Sequence, residues 1–375
     1  MAFFLRFLMS HDWSEAFSAD YAQARAAFGR AALQAGTRTH AYPHPLPGAQ
    51  GETLALDVAV DGALMADKWL VISSACHGVE GFCGSGIQIA ALRDDALRAQ
   101  ARAAGVTLLY LHALNPYGFS HLRRVTHENV DLNRNFHDFT QPLPLNPAYD
   151  DIQDLLLPDT WPPTEANRAA LADYVAQHGR AQLQAALSQG QHRHADGLFY
   201  GGLGPTWSNM TLRQVVDAYL KPARHMAWVD LHTGLGPCGV GERIHNGPSN
   251  PLNLAQARAW WGGDGATPVT SADDGSSVSV RITGTLGQAI ASACSHASFT
   301  GIALEYGTLP FEEVMEALRA EHWRHRHPEA PAEQSVAIGQ QLKDAFYVDT
   351  DTWRHQVVTQ GLEAFSQAIA GLQSL

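Results

Sequence analysis

Four short apolar runs set the frame for this chain: KWLVISSA (68–75), VTLLYLHAL (106–114), HMAWVDLHT (225–233) and TGIALEYGT (300–308). Continuous runs of this length suit strands covered on both faces, where neither side meets water. Around them the spacing turns helical. It does so over 18–36, with Ser18 as N-cap and Gly36 as stop, over 84–105, 164–189, 211–221 and 287–297, and from Pro310 onward with a break near 326–334. ETLALDVAVDG (52–62) alternates as a half-buried strand does, and 267–286 reads as a β-ribbon. Repeated β-α alternation predicts an α/β fold: one domain with a mixed, mostly parallel twisted sheet flanked by helices. No internal repeat or low-complexity linker divides the chain. The expected organisation is an N-terminal extension over 1–17 and a single domain over 18–375, helical from about 310.

Composition narrows the function classes. Hydrophobic residues make up 45% and charged residues 17%, which places the chain among folded globular proteins and not among disordered ones. The formal net charge is −12, and Lys and Arg form no stripe, so nucleic acid is not an expected partner. Cys76, Cys83, Cys238 and Cys294 form no C-x-x-C pair and no disulfide framework, which fits a reducing compartment. The opening MAFFLRFLMSHDW carries a short apolar patch broken by Arg6, too short for a span and without a small-residue cleavage site. The protein is expected to be cytoplasmic, without a membrane partner.

The chemistry gathers at the strand ends. His77 and Glu80 follow the first run, His232 closes the third, and Glu305 lies in the fourth. Ligands of open α/β sheets collect outside the carboxyl ends of strands, so four residues spread over 228 positions can share one site. Two histidines and a carboxylate form a usual catalytic zinc set, and a second carboxylate can then move protons. Within the polar stretch 112–136, Asn133 and Arg134 offer an amide beside a planar cation, suited to gripping a carboxylate. Arg124 is placed to polarise a carbonyl, and the tandem Arg123 and Arg124 leaves that assignment open by one residue. Asp230 and His245 are candidates for a second metal, although no spacing requires one. His322, His325 and His327 read as a solvated helix end, and GPCGVGE (236–242) as a turn.

H-x-x-E after a strand, NP.G, an arginine shortly before DLNRNF, a strand-end histidine and a final strand glutamate together resemble the ordered motif set of the zinc metallocarboxypeptidase superfamily. That superfamily also holds aspartoacylase and succinylglutamate desuccinylase. The phrases SADYAQARAAF, HADGLFYGGLGPTWSN and LHTGLGPCGVGE resemble an uncharacterised bacterial branch of it. The resemblance implies a zinc carboxypeptidase-like catalytic domain holding one Zn2+ through His77, Glu80 and His232. It implies Glu305 as general base and acid, Arg124 as carbonyl clamp, and Asn133 and Arg134 as binders of a substrate carboxylate. The expected reaction is hydrolysis of an amide bond, in a peptide or N-acyl amino acid, next to a free carboxylate. The chain departs from the digestive-type pattern between Leu235 and Thr285, where no tyrosine occurs. Tyr200 and Tyr306 are the candidates to replace it. The alternative class is a zinc-containing binding module without catalysis, against which the retained Glu305 argues.

Overall fold

The apolar runs become neighbouring strands of one eight-stranded sheet. The structure, a computed structural model, describes residues 13–262, 268–277 and 279–375. The strands are β1 (Arg38–Pro47), β2 (Thr53–Asp61), β3 (Lys68–Ser73), β4 (Val106–His112), β5 (His225–Cys238), β6 (Gly241–His245), β7 (Val269–Thr270) and β8 (Ser298–Gly307). Their spatial order is β1-β2-β4-β3-β5-β8-β6-β7. Strands β4, β3, β5 and β8 run parallel, whereas β1 pairs antiparallel with β2, β2 with β4 and β6 with β8; β7 then pairs parallel with β6. This is the expected mixed, mostly parallel α/β sheet.

Helices of eight residues or more are numbered in chain order: α1 (Tyr21–Gln34), α2 (Gly81–Arg93), α3 (Asp95–Ala103), α4 (Glu165–His178), α5 (Arg180–Ser188) and α6 (Trp207–Tyr219). They continue with α7 (Pro251–Trp261), α8 (Leu286–Ala293), α9 (Phe311–Arg326), α10 (Ala332–Phe346) and α11 (Asp351–Gln373). Side chains alternate across the strands and so feed two cores. Leu70, Ile72, Leu108, Tyr110, Val229, Ile302 and Leu304 pack with α1 to α3 and α9 to α11. Trp69, Val71, Leu109, Leu111, Met226 and Trp228 face the other way, against α6 and α8. Helix α2 is buried along nearly its whole length. It lies so close to β3 that a Cβ on Gly84 would sit 2.6 Å from the Ser74 Cβ. That approach is what the glycines of GFCGSG allow, at the helix-propensity cost glycine carries.

Several local expectations are corrected. Helix α1 is capped by Asp20, whose carboxylate accepts from the Gln23 backbone N–H at 2.8 Å, and not by Ser18. The helix expected over 84–105 is two, broken at Asp94, which caps α3 through the N–H groups of Ala96 and Leu97. The segment 164–189 divides likewise into α4 and α5 at Gly179, whose φ is +84°. The ribbon expected over 267–286 reduces, among the described residues, to the two residues of β7, and local turns follow. Strand β2 is covered on both faces, its half-buried Asp57 and Asp61 paired with Arg25 and Arg98. His322 is buried and bonds the Asp196 carbonyl through Nε2 at 2.5 Å, so only part of the histidine cluster lies at a solvated helix end.

Of the expected extension over 1–17, residues 1–12 lie outside those described, while Trp13 and Ala16 are buried in the larger core. Among the described residues no helix is long and apolar enough to cross a membrane. The arrangement positions a site at the sheet centre. Strand β3 has β4 on one side and β5 on the other, and β8 follows β5, so strand order reverses between β3 and β5. A crevice opens at such a reversal, outside the strands' carboxyl ends.

Candidate functional site

The turn after β3 delivers the first two residues. His77 caps a single turn of 3-10 helix, Gly78–Glu80, from which α2 continues. The turn is held from outside: the Gly78 and Val79 N–H groups donate to the carbonyls of Arg124 and Arg123, both at 2.9 Å. Ala75, just before it, has a φ of +55°, a left-handed conformation unusual for a residue with a side chain. Strand β5 brings His232 alongside. Its Nδ1 lies 3.3 Å from His77 Nδ1 and 3.0 Å from one Glu80 oxygen, while the other Glu80 oxygen is 2.9 Å from His77 Nδ1. The donor atoms of His77, Glu80 and His232 all fall within 4.8 Å of one another.

Behind each imidazole stands a carboxylate, one of them, Asp131, unremarked in the sequence and the other, Asp230, expected there only as a second-metal candidate. Asp131 lies 3.2 Å from His77 Nε2, and Asp230 lies 2.7 Å from His232 Nε2. Both are fully buried, and Asp230 also accepts from Ser73 Oγ at 2.6 Å. A carboxylate on the rear nitrogen fixes the ring and its tautomer, leaving Nδ1 as the free donor. The two Nδ1 atoms and Glu80 therefore fit a divalent ion of the zinc type, for which nitrogen and carboxylate oxygen are usual ligands. A second grouping of Cys76, Asp230 and His232 exists among the described residues. Burial, with Asp230 nearby, pushes the Cys76 thiol well up, which keeps it protonated and a poor ligand. Asp230 turns to the back of His232, and His245, which lines the cleft, bonds Asn253 at 2.7 Å through Nε2.

Electrostatics separates the two glutamates. Burial would raise Glu80, but His77 and His232 hold it well below the usual carboxylate range. Burial drives Glu305 the other way, to about 7, with the Glu80 charge adding to the rise and His232 and the Leu235 N–H opposing it. Glu305 pairs in register with His232 across β5 and β8, accepts from the Leu235 N–H at 3.0 Å, and lines the cleft. His232 is pushed down by burial yet held well above its ordinary value by Asp230 and Glu80.

The two adjacent arginines part company. Arg123 turns into the fold, where its Nε donates to Glu321 at 2.7 Å. Arg124 faces the site: Nη1 donates to Glu80 at 2.9 Å, Nε to Asp131 at 3.3 Å, and Nη2 lies 2.9 Å from His77 Nε2. Arg134 also lines the cleft, anchored by bonds from Nε and Nη2 to the Ser188 carbonyl at the end of α5. Gly190 makes room for it, since a Cβ there would lie 2.7 Å from Arg134 Cδ and its φ is +89°. Asn133 lines the cleft with its side-chain oxygen accepting from the Leu286 N–H at 3.1 Å.

The rest of the cleft wall comes from Ser271, Asp273, Arg281, Thr285 and Gln288 on one side and Phe311, Met315 and Leu318 of α9 on another. Neither candidate tyrosine reaches it. Tyr306 points to the opposite face from Glu305 and donates to the Val357 carbonyl at 2.9 Å, and Tyr200 is buried outside the lining. All seven residues proposed from the sequence thus lie in one region. The signal for Asp230 was present, since a residue two before His232 in a strand shares its face.

A family model described as a protein of unknown function, DUF2817, matches residues 17–360. No curated protein matches the chain. Among solved structures, the chain is similar to a metallo-carboxypeptidase from Burkholderia cenocepacia, with 14% identity over 88% of this chain and 68% of that one and a TM-score of 0.39. It is also similar to carboxypeptidase A from Helicoverpa armigera, with 13% identity over 87% and 73% of the two chains and a TM-score of 0.42. A third similar structure is a murein-tripeptide amidase from Escherichia coli O157, with 14% identity over 82% and 97% and a TM-score of 0.36.

Proposed function

The chain belongs to the DUF2817 family, and for it we propose metal-dependent hydrolysis of an amide bond next to a free carboxylate, in a peptide or an N-acyl amino acid. The observation that carries this reading is the pair of glutamates: Glu80 is kept ionised between two histidines, and Glu305, in register with His232, opens on the cleft with its proton affinity raised. A recognition site has use for the first carboxylate and none for the second.

In this reading His77, Glu80 and His232 hold one zinc ion, which supplies Lewis acidity toward an amide carbonyl and an attacking water. Asp131 and Asp230 keep the two imidazoles aimed. With a proton on His77 Nε2 shared to Asp131, Arg124 Nη2 has no acceptor there and turns to the substrate carbonyl, where it stabilises developing negative charge. Glu305 takes the proton from the water and returns it to the departing amine nitrogen, as base and then acid. Arg134 and Asn133 hold the substrate carboxylate, Arg134 by its remaining N–H groups.

The test is a screen of zinc-loaded protein against C-terminal dipeptides, acidic peptides and N-acyl amino acids. Turnover of at least one class is expected, lost on chelation and restored by zinc. Turnover by fully demetallated protein would overturn the metal role, and full zinc occupancy with ligand binding but no turnover would favour a binding module.

A further inference from the structure

We propose that Phe199 is a positioning residue whose aromatic face orients both cleft arginines, Arg124 and Arg134. The proposal rests on the hydrolase reading for its consequence and on geometry for its existence. The carbon centres of the two guanidinium groups lie 5.3 and 5.7 Å from the centroid of the same ring. A cation over an aromatic face is attracted by the ring's negative quadrupole, and more strongly where water is excluded. Water is largely excluded here, since the side chains of Arg124, Arg134 and Phe199 are all mostly buried.

The backbone is bent to place this ring. Phe199 has a φ of +51°, a left-handed conformation that a side-chain-bearing residue adopts only when its surroundings impose it. Those surroundings are built. Gln191 N–H donates to the Phe199 carbonyl at 3.2 Å, and Gly201 N–H donates back to the Gln191 carbonyl at 2.8 Å. The Gln191 side chain ties down the same loop by donating to the His194 carbonyl at 2.8 Å and accepting from the His194 N–H at 2.7 Å. On the far side, the Asp131 N–H donates to the Tyr200 carbonyl at 2.8 Å. The loop that carries the ring is thereby stitched to the residue that backs His77.

One ring shared by two arginines explains how like charges are kept side by side. Asp131 lies near both, 3.3 Å from Arg124 Nε and 3.9 Å from Arg134 Nη1, and it neutralises from one side. Phe199 supplies partial negative charge without accepting a hydrogen bond, so it leaves the outward N–H groups of each guanidinium to a ligand. A second carboxylate in its place would compete with substrate for those groups. An aliphatic side chain would fill the space without that attraction, leaving Arg124 to Glu80 and Asp131 and Arg134 to the Ser188 carbonyl.

The test compares Phe199→Leu, which removes the aromatic face, with Phe199→Tyr, which keeps it. With a blocked dipeptide bearing a free C-terminal carboxylate as probe substrate, the leucine variant is expected to retain zinc and lose about tenfold in kcat/KM, mostly as a rise in KM, with tyrosine within about twofold of the parent. The readout independent of turnover is the NMR spectrum of protein labelled with 15N-arginine, assigned with Arg124→Lys and Arg134→Lys. In the parent, the Nε–H signals of both arginines should be displaced upfield by the ring and return in Phe199→Leu. Unshifted arginine signals in the parent overturn the proposal even where the leucine variant fails to fold. So does a tyrosine variant that loses as much as leucine, or a folded leucine variant within twofold of the parent. If the parent hydrolyses nothing in the panel, the hydrolase reading fails by itself. The arginine signals, together with calorimetric titration of an N-benzoyl amino acid into metal-free parent and variants, still decide the role of Phe199.

Discussion

The strand ends and the flank at 235–285 border the same cleft and are built on opposite plans. At the strand ends His77, Glu80, Asp131, Asp230 and His232 are all buried, and each bonds to another member of the group. Their partners come from β3, β5 and the loop after β4, so no local segment sets the geometry alone. Within the flank, β6 and α7 are tied to β8 and α11, but the stretch 271–281 that borders the cleft is held locally: Ser271, Asp274 and Ser276 bond among themselves within six residues, and the ion pair between Asp273 and Arg281, 3.4 Å apart, is largely open to solvent. A network of the first kind is unforgiving, because removing one member strands the others without partners in a low-dielectric interior. A surface of the second kind tolerates change. The chemistry is therefore expected to reside in the first region and selectivity in the second.

His77→Ala carries the largest expected effect: loss of the ion and of activity down to background, checked by elemental analysis alongside turnover. A zinc-replete, active His77→Ala protein would break the comparison outright. Glu305→Gln comes next. It removes the proton carrier but keeps shape, so kcat should fall by about 10² to 10⁴ or more, with zinc content and thermal stability nearly unchanged. Near-parental kcat in that variant takes the catalytic role from Glu305.

Arg134→Ala should raise KM by about 10-fold to 100-fold for substrates with a free carboxylate and leave amidated analogues almost unaffected, since only the former lose a charged partner. Equal losses for both would remove the carboxylate clamp. Smaller again is an effect of acid on the core. Burial holds both His112 and His322 down to about 4, against about 6.5 in an unfolded chain. Each stays neutral in the fold while the unfolded state takes up protons, so stability is full above about pH 6.5 and declines as pH falls toward 4. At pH 5.5 each histidine should cost about 1.4 kcal/mol, and His112→Gln should flatten the decline in denaturant melts. An unchanged slope would refute this. The smallest effects belong to the flank: Arg281→Ala and Asp273→Asn should move stability by less than about 1 kcal/mol and kcat by less than about threefold, shifting KM between substrates instead. A collapse of kcat in either variant would erase the distinction between the two regions.

Much of the strand-end region was legible without coordinates because its signals are local. An apolar run that ends in histidine or glutamate declares both the strand and the position of the residue at its end, and all four such residues lie in the site. The flank was not legible. Its polar, glycine-containing sequence has no period, and the ribbon expected there shrinks to β7. Capping was legible in kind and missed in place: Ser18 and Asp20 are both good caps, and the choice fell to the residue whose backbone is extended where the first turn begins.

The sequence by itself determined the four central strands and most of the helical segments, though not β1, β6 or α7, and it placed His77, Glu80, His232 and Glu305 along those strands, because period and burial are written into neighbouring residues. Only the tertiary structure decided between Arg123 and Arg124. Adjacent residues in an irregular loop carry no period, and the choice was made by Glu321, which claims Arg123 from 198 positions away. It alone set Asp131 behind His77 and Asp230 behind His232, and it alone brought Phe199 under two arginines from 65 positions beyond Arg134. Those relations arise from register and loop closure, which bring together residues that no sequence window contains.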